Sequence, residues 1–498
     1  MKIVIVGGGT AGWVTAAFFV KYLPNYDITV IDSSKIPIIG AGEGSTGVLP
    51  WFIKGEKWPD GMVTELDFLR KTKATLKLGI RMENWRGDGT SMYSPFHATI
   101  THQEQFDYAL HGSHLKYGRG DFASVHSLML EDKKTTFRKQ FGRITSGLDN
   151  HSYHFDGVEV GKYFKKLCTK NGVKCFDSEV LDLSFDENEY LQTIKLADGT
   201  TLSADMWYDC SGFARVLMGK TKNKWISYKE NLPVNSAIPF STEIHSKIVR
   251  FETLAKTMDA GWMWKIPLQH RHGCGYVYSD EFQSYDKCVD ELQTSLRQEI
   301  EPIKHIKFEA GRFENPWYKN IAAIGLSSHF LEPLQATSIH IAITSLIYLN
   351  QHFLVNKECI KNEQDRNSYN KKINVIVDDY KDFIQMHYLS GRSDTPFWKF
   401  IKNEMVITDK NKELIDISKR RLINIQDIQN GHGTAGWPLW SHMIEMAGLY
   451  NVDMINEHIK TYGYETNVDG AVRDTNDFYN KIKYDLVSNE EFFKYLKI

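Results

Sequence analysis

Cysteine, proline and long apolar runs are all scarce in this chain of 498 residues. Its six cysteines form no Cys-x-x-Cys pair and follow no regular spacing, which excludes a disulfide-stapled scaffold and predicts free thiols in a reducing compartment. The 13 prolines exclude a collagen-like or proline-rich class. No run of about 18 apolar residues occurs. We therefore expect no membrane span and no signal peptide, and a cytoplasmic location.

A charge of one sign is also lacking. Lys and Arg together number 60 and Asp and Glu 62, a formal net charge of -2. Without a basic tract the chain offers no electrostatic footprint for nucleic acid, so we expect no such partner. Aromatic residues are abundant instead, at 13% with 12 Trp and 24 Tyr, and such side chains build cores and binding surfaces. The length corresponds to roughly three globular domains.

The first residues carry the most informative motif. A β-branched apolar run at residues 2–6 predicts a buried strand. The turn Gly7-Gly8-Gly9-Thr10-Ala11-Gly12 and a helical segment follow, and a second strand then ends in Asp32, 20 residues after Gly12. In such a unit the first glycine makes the turn, the second admits a pyrophosphate, the third packs helix on strand, and the acid binds a ribose. The spacing predicts a dinucleotide-binding fold.

Later segments decide which dinucleotide binds. A second glycine-rich loop occupies residues 38–47, and a strand ends in Asp209-Cys210-Ser211-Gly212, as beneath the cofactor in flavoenzymes. A last core strand covers residues 321–325. No second complete fingerprint with its own acid follows, so FAD is the only dinucleotide that the sequence provides for. The residues predicted to bind it are Gly7, Gly9, Thr10, Ala11, Gly12, Asp32, Gly42, Val180, Asp209, Gly325 and Leu334.

These elements predict an α/β fold of the FAD-binding, two-dinucleotide (Rossmann-like) flavin monooxygenase type. Residues 1–345 form the FAD-binding domain with insertions, and residues 346–498 form a mostly helical module on the substrate side. His270 and His272 lie in a predicted turn without the further ligands of a metal site, so no metal is expected.

Three segments resemble the flavin-dependent halogenases of the tryptophan halogenase family. The first is Lys77-Leu78-Gly79-Ile80-Arg81, which is followed in the sequence by Asn84-Trp85 and Tyr93-Ser94-Pro95-Phe96. The second, Trp262-Met263-Trp264-Lys265-Ile266-Pro267, fits the family's Trp-x-Trp-x-Ile-Pro signature. The third is Phe330-Leu331-Glu332-Pro333-Leu334-Gln335-Ala336-Thr337. The resemblance covers about residues 1–445.

The resemblance implies a two-component enzyme. A separate flavin reductase supplies reduced FAD, which with O2 oxidises a halide ion to hypohalous acid, and this halogenates an aromatic small molecule of the indole or phenol class. Lys77 is the expected catalytic residue, since a desolvated amine can hydrogen-bond hypohalous acid or form a haloamine with it. The expected wall between the flavin and substrate sites consists of Trp262, Trp264, Ile266 and Pro267.

The chain departs from the family in one loop. Where the family has Glu-Ser-Thr-Gly, this chain has Gln335-Ala336-Thr337-Ser338. Gln335 can hydrogen-bond but cannot accept a proton at neutral pH. The family's halide site maps to the backbone of Thr337 and Ser338. These changes favour bromide or iodide over chloride. The residues that clamp tryptophan in the family find no match, so tryptophan is not carried over as the substrate.

Two other interpretations remain open at this point. A flavin-dependent monooxygenase or reductase could use the same fold, although the Trp-x-Trp-x-Ile-Pro signature argues against hydroxylation. A catalytically silent flavin-binding relative is the other, supported by Gln335 and opposed by the intact Lys77. The substrate, its presentation as a free or carrier-bound molecule, and the oligomeric state are left open.

Overall fold

The computed structural model describes the chain except residues 39, 41, 56–57, 62, 96–123, 141–142, 149–150, 245–248, 429–432, 464 and 498. Phe96 of the lysine segment and two residues of the 38–47 loop therefore lie outside the described residues. The chain divides into two interleaved units. Unit 1 comprises Met1–Lys73, Phe155–Lys229 and Glu309–Asp378, and unit 2 comprises Ala74–His154, Glu230–Phe308 and Asp379–Ile498.

The strands are β1 (Lys2–Val6), β2 (Asp27–Ile31), β3 (Glu43–Gly44), β4 (Thr75–Lys77), β5 (Gly79–Glu83), β6 (Ser91–Pro95), β7 (Lys134–Gln140), β8 (Arg143–Ser146), β9 (Ser152–Phe155), β10 (Lys174–Phe176), β11 (Val180–Phe185), β12 (Leu191–Leu196), β13 (Thr201–Ser203), β14 (Met206–Asp209), β15 (Trp225–Ser227), β16 (Ser236–Thr242), β17 (Glu252–Met258), β18 (Gly261–Pro267), β19 (His272–Tyr278), β20 (Ile306–Lys307), β21 (Gly311–Phe313), β22 (Trp317–Tyr318), β23 (Ile321–Ala323), β24 (His329–Phe330) and β25 (Leu486–Ser488).

The α-helices are α1 (Thr10–Tyr22), α2 (Val48–Lys54), α3 (Glu65–Lys71), α4 (Val125–Glu131), α5 (Gly157–Lys170), α6 (Tyr285–Leu296), α7 (Thr337–Tyr348), α8 (Glu363–Tyr388), α9 (Pro396–Asn403), α10 (Asp409–Ser418), α11 (Trp437–Met446), α12 (Val452–Thr461), α13 (Glu465–Ile482) and α14 (Asn489–Leu496). Among the described residues, no helix combines the length and apolar character needed to cross a bilayer.

Unit 1 is built on a twisted sheet with the strand order β10-β2-β1-β14-β23-β22. The first five strands are parallel, and β22 pairs antiparallel with β23 at the edge. The central strands are buried on both faces, which explains their continuous apolar sequence. In a sheet of this kind ligands bind outside the carboxyl ends of the strands, where the turns after β1, β14 and β23 lie.

Unit 2 contains a sheet with the strand order β20-β16-β19-β18-β17-β5-β6. Its strands are antiparallel except for the β17–β5 pair, which is parallel. The short strand β4 pairs antiparallel with β9. From residue 349 to the end, the described chain is mostly helical, with β25 and non-helical connections of which residues 419–428 are the longest, so the predicted mostly helical character of the C-terminal part is confirmed. The boundary at residue 345 stays a prediction.

Candidate active site

The glycine turn after β1 has the space that a dinucleotide needs. Gly7 has φ +115°, and a Cβ there would lie 2.3 Å from the Cys210 carbonyl oxygen. A Cβ on Gly12 would lie 1.8 Å from the Gly7 carbonyl oxygen, so this position must be bare where helix meets strand. A Cβ on Gly9 would meet no atom within 4 Å. The open side of the turn therefore lies at Gly9, at the N-terminus of α1, where a pyrophosphate would bind.

The two acids predicted to bind the cofactor, Asp32 and Asp209, have different hydrogen-bond partners. Asp32 follows β2, and its Oδ2 accepts a hydrogen bond from Lys165 Nζ of α5 at 2.7 Å. Asp209 is fully buried at the end of β14. Its carboxylate accepts the backbone N–H groups of Ser211, Leu217 and Met218 and the Ser211 hydroxyl, at 2.6–3.1 Å. These four bonds occupy the carboxylate, so Asp209 orders the turn after β14 through its own side chain.

The remaining cofactor candidates also lie in unit 1. Gly325 has φ +69°, and a Cβ there would lie 3.0 Å from Ala11 Cβ, so the turn after β23 reaches the start of α1. Gly42 has φ +81°, as a tight turn requires. Leu334 is buried in the 3₁₀ turn Leu334–Ala336. Val180 begins β11, where it pairs with Leu196 and packs against the apolar core of unit 1.

The loop that departs from the family pattern has an unusual backbone. Gln335 (φ 65°) and Ala336 (φ 55°) are consecutive left-handed residues, and α7 begins directly after them at Thr337. Left-handed residues other than glycine cost about 1 kcal/mol or more. A left-handed residue followed by a right-handed one turns successive N–H groups toward one point, which forms an anion-binding concavity. The backbone of Thr337 and Ser338 lies at this N-terminus.

One acid of unit 1 was not predicted from the sequence. Glu43 is half-buried in β3, and a Cβ on Gly157 would lie 2.3 Å from its Oε1 and 2.9 Å from Thr10 Oγ1. Burial, and then the charge of Asp156, raise the pKa of Glu43 to about 7, while a hydrogen bond with Thr10 acts in the opposite direction. The signal was available, since Glu43 lies between two glycines in the 38–47 loop, next to the predicted FAD contact Gly42.

Lys77 lies in unit 2, at the end of β4, and its side chain is 1% exposed. Burial lowers the pKa of its amine from 10.5 to about 7. The strand is fixed from several sides: Leu78 donates its N–H to the Phe251 carbonyl, Gln269 Nε2 donates to the Ala74 carbonyl, and His126 Nδ1 lies 3.0 Å from the Leu78 carbonyl. A buried, firmly held amine is the setting in which a lysine becomes nucleophilic.

The Trp-x-Trp-x-Ile-Pro motif forms β18 in the same unit. Trp262 and Trp264 alternate with Met263, so they share one face of the strand with Ile266, and their ring centroids are 6.1 Å apart. Both are buried. Gly275 lies opposite Trp264 in β19, and a Cβ there would lie 2.0 Å from the indole. The glycine therefore makes room for the ring.

A direct hydrogen bond joins the strand that carries Lys77 to the Trp-x-Trp-x-Ile-Pro motif. Thr75 Oγ1 donates to the Pro267 carbonyl at 2.6 Å, which ties the strand of Lys77 to the end of β18. Thr75 cannot be recognised from the sequence, because a single threonine two residues before a lysine forms no pattern. Within the described ranges, no three His, Cys, Asp or Glu side chains come together as a metal ion would require.

The residues of unit 1 fit FAD: the turn is open at Gly9, and the Asp32 carboxylate lies at the end of the next strand. Comparison with known proteins agrees. The chain matches the family model described as Tryptophan halogenase over residues 2–461. It is 32% identical over 444 residues to tryptophan 7-halogenase RebH of Lentzea aerocolonigenes, covering 84% of this chain and 81% of that protein. It is 29% identical over 478 residues to 7-chloro-L-tryptophan 6-halogenase KtzR of Kutzneria sp. (strain 744), covering 90% of each.

A solved structure extends the similarity to the whole chain. Tar14, a tryptophan C-6 flavin-dependent halogenase (chlorinase) from taromycin biosynthesis, has a TM-score of 0.89 at 26% identity and covers 100% of both chains. The fold and the glycine turn thus define an enzyme of the flavin-dependent halogenase class, which uses reduced FAD, a halide ion and O2. The chain belongs to the tryptophan halogenase family. The predicted family, fold class, enzyme class and cofactor are confirmed.

Proposed function

We propose that the protein halogenates a free aromatic small molecule of the indole or phenol class, with Lys77 carrying the halogen to the ring. The observation that carries this proposal is the burial of Lys77, whose side chain is 1% exposed, with the pKa of its amine lowered to about 7. When bound, reduced FAD with O2 and halide supplies the electrophilic halogen as hypohalous acid. A separate flavin reductase reduces the FAD.

The lysine can act in either protonation state. At neutral pH a large fraction of the amine is unprotonated because its pKa lies near 7. This nitrogen attacks the halogen of hypohalous acid: an N–halogen bond forms, the halogen–oxygen bond breaks, and the amine proton leaves with the hydroxide as water. The protonated fraction can instead donate a hydrogen bond to the oxygen of hypohalous acid, which makes the halogen more electrophilic.

We assign the remaining residues to binding and exclusion. The backbone N–H groups of Thr337 and Ser338 bind the halide at the N-terminus of α7, supported by the two left-handed residues before it. Gln335 orients substrate or oxidant by hydrogen bonding. The indoles of Trp262 and Trp264, with Ile266 and Pro267, exclude the organic substrate from the flavin, so that halide is oxidised and the ring is not hydroxylated.

Replacement of the lysine tests the proposal. We expect Lys77→Ala to abolish halogenation while FAD binding stays within about twofold of wild type, because the lysine acts after the flavin has reacted. Product formation from a panel of indoles and phenols is measured by mass spectrometry, with FAD, a flavin reductase, NADH and bromide. Lys71→Ala, at an exposed lysine of α3, is the matched control. Wild-type halogenation by Lys77→Ala would contradict the role of Lys77, and halide-independent hydroxylation would indicate a monooxygenase.

We also propose that bromide or iodide is used in preference to chloride. Chloride is the most strongly hydrated and the hardest of the three to oxidise. The support lies in Gln335, Ala336 and Ser338, which replace the family's proton-accepting Glu, its Ser and its Gly. Tar14, which is a chlorinase, is an argument for the opposite order. Equimolar competition assays decide between the two: brominated or iodinated product should exceed chlorinated product, and predominant chlorination would contradict the proposal.

A further inference from the structure

A second polar side chain shares the strand pair that holds Lys77. In the antiparallel pair of β4 and β9, Thr75 lies opposite His154 and Lys77 lies opposite Ser152. Directly opposed residues point to the same face of a sheet, and alternate residues along a strand do so too. The side chains of these four residues therefore share one face, and all four are buried. His154 is the diagonal neighbour of Lys77 across the pair.

His154 is held between two threonines. Its Nε2 lies 2.7 Å from Thr253 Oγ1 of β17, and its Nδ1 lies 3.5 Å from Thr75 Oγ1. The single hydroxyl proton of Thr75 is donated to the Pro267 carbonyl. Thr75 can therefore only accept from the imidazole, which assigns the proton to Nδ1, where it also faces the backbone of Leu76 in the same strand. This leaves Nε2 to accept the Thr253 hydroxyl.

The imidazole is neutral in this position. Burial, and then the charge of Lys77, lower the pKa of His154 well below 6.5, and a hydrogen bond with the Leu76 backbone opposes them only in part. A base this weak cannot withdraw a proton from an ammonium whose pKa is about 7. His154 is thus unsuited to act as the proton acceptor of the lysine, and its contribution must come from where it holds neighbouring groups.

We propose that His154 is a positioning residue for Lys77: the neutral imidazole connects Thr75 of β4 to Thr253 of β17 and so fixes the strand from which the lysine projects. This inference rests on the proposed function of Lys77. We call the contact of Thr75, His154 and Thr253 the joint. Through the hydrogen bond from Thr75 to the Pro267 carbonyl, the joint also fixes the end of β18, so that β4, which carries Lys77, keeps its position relative to β18. Loss of the joint should let water reach the amine and let oxidised halogen escape from it.

Other charged groups near this joint do not perform the same task. On β17, Glu252 precedes Thr253 and therefore points to the opposite face, where its Oε1 lies 3.0 Å from Arg81 Nε and 2.8 Å from Arg250 Nε. On α4, the buried His126 faces the Leu78 carbonyl through Nδ1. A change in the pKa of Lys77 on replacing Thr253 would therefore result from loss of the uncharged contact between His154 and Thr253, and not from a change in a neighbouring charge.

Substitutions of Thr253 test the proposal with matched shapes. Thr253→Val keeps the branched side chain and removes the hydroxyl, whereas Thr253→Ser keeps the hydroxyl. His154→Leu removes both ends of the joint, and His154→Gln keeps a polar atom near Nε2. The first readout is the pKa of Lys77. It is measured by NMR on protein that carries ε-¹³C-lysine, and the Lys77 signal is identified by its loss in Lys77→Arg.

The second readout is the fate of the halogen. A diffusible 1,3-dicarbonyl trap competes with the aromatic substrate, and the ratio of substrate product to trapped halogen is measured. We expect Thr253→Val and His154→Leu to raise the Lys77 pKa by about one unit, as water enters. The product-to-trap ratio should fall about fivefold, the factor of one net hydrogen bond. Thr253→Ser should match wild type, and His154→Gln should lie between.

The outcomes separate this inference from the proposed function. If Thr253→Val leaves both the Lys77 pKa and the product-to-trap ratio as in Thr253→Ser, the joint does not position the lysine and the inference is wrong. If the pKa responds but Lys77→Ala still halogenates at the wild-type rate, the joint exists and the proposed role of the lysine fails. Thermal unfolding and FAD titration of each variant identify misfolding, and His154→Gln keeps the test valid if His154→Leu does not fold.

Discussion

At the scale of single residues, the chain places ionisable groups where burial works against their charge. The pKa of the Lys77 amine is lowered to about 7, and the pKa of the Glu43 carboxyl is raised to about 7. Groups perturbed in this way concentrate at functional sites, because a pKa near neutrality lets a side chain exchange protons under working conditions. Each shift has a consequence that can be measured without knowing the substrate.

The buried lysine should reduce stability in a pH-dependent way. Because the folded pKa of Lys77 is about 7 and the unfolded value is 10.5, the unfolded chain binds the extra proton between these limits, and stability rises with pH across this window. Lys77→Met should therefore be more stable than wild type, on the order of 5 kcal/mol near pH 7 and below. Urea unfolding of both proteins from pH 6 to 10 checks this. A difference that does not shrink toward pH 10 would contradict the shift.

Glu43 should couple FAD binding to a proton. Its carboxyl shares its surroundings with Thr10 at the N-terminus of α1 and with Asp156, and an incoming pyrophosphate adds negative charge that raises the pKa of Glu43 further. FAD binding then takes up a proton, so affinity should fall as pH rises above 7, about tenfold per unit at most. In Glu43→Gln the dependence should flatten, and Glu187→Gln, at an exposed acid between β11 and β12, should keep it. Titrations of FAD fluorescence at pH 6–9 provide the measurement.

At the scale of elements, short turns between strand and helix determine what unit 1 can bind. The turns after β1 and β23 meet where Gly325 approaches Ala11, and α7 starts from two left-handed residues. The glycine fingerprint could be predicted from the sequence because its spacing is local: sterics exclude a Cβ at Gly7 and Gly12, and Gly9 leaves room for the ligand. The left-handed Gln335 and Ala336 could not, because neither residue type favours that backbone and only the surrounding structure enforces it.

The glycine turn gives an element-scale prediction. Gly9 has φ -75°, which any residue can adopt, and a Cβ there meets no atom within 4 Å. Gly9→Val should therefore fold normally and yet lose FAD affinity by a factor on the order of 100, because its methyl groups occupy the space of the pyrophosphate. Gly9→Ala should show a smaller loss. FAD titration with thermal unfolding as the control measures both, and retained affinity in folded Gly9→Val would refute the assignment of the turn.

At the scale of the whole molecule, features formed by contiguous residues could be predicted from the sequence. Contacts between residues far apart in the chain could not. The first strand, the glycine turn and the acid at Asp32 are contiguous, and so is the Trp-x-Trp-x-Ile-Pro motif. The joint of Thr75, His154 and Thr253 draws on three strands far apart in the chain, and single polar residues in apolar segments give no periodicity to recognise. The interleaving of the two units follows from the same long-range pairing, which no local pattern encodes.

The number of dinucleotide-binding motifs in the whole chain determines whether the protein can reduce its own FAD with NADH. The sequence holds a single complete dinucleotide fingerprint with its acid, and the turn that carries it leaves room for the pyrophosphate of FAD. NADH added to the FAD-loaded protein should therefore leave the flavin absorbance unchanged over many minutes, and a catalytic amount of a flavin reductase should bleach it at once. Stopped-flow absorbance under anaerobic conditions measures both. Bleaching by NADH alone, at a rate proportional to the concentration of this protein, would mean that the chain binds the nicotinamide itself and that no separate reductase is required.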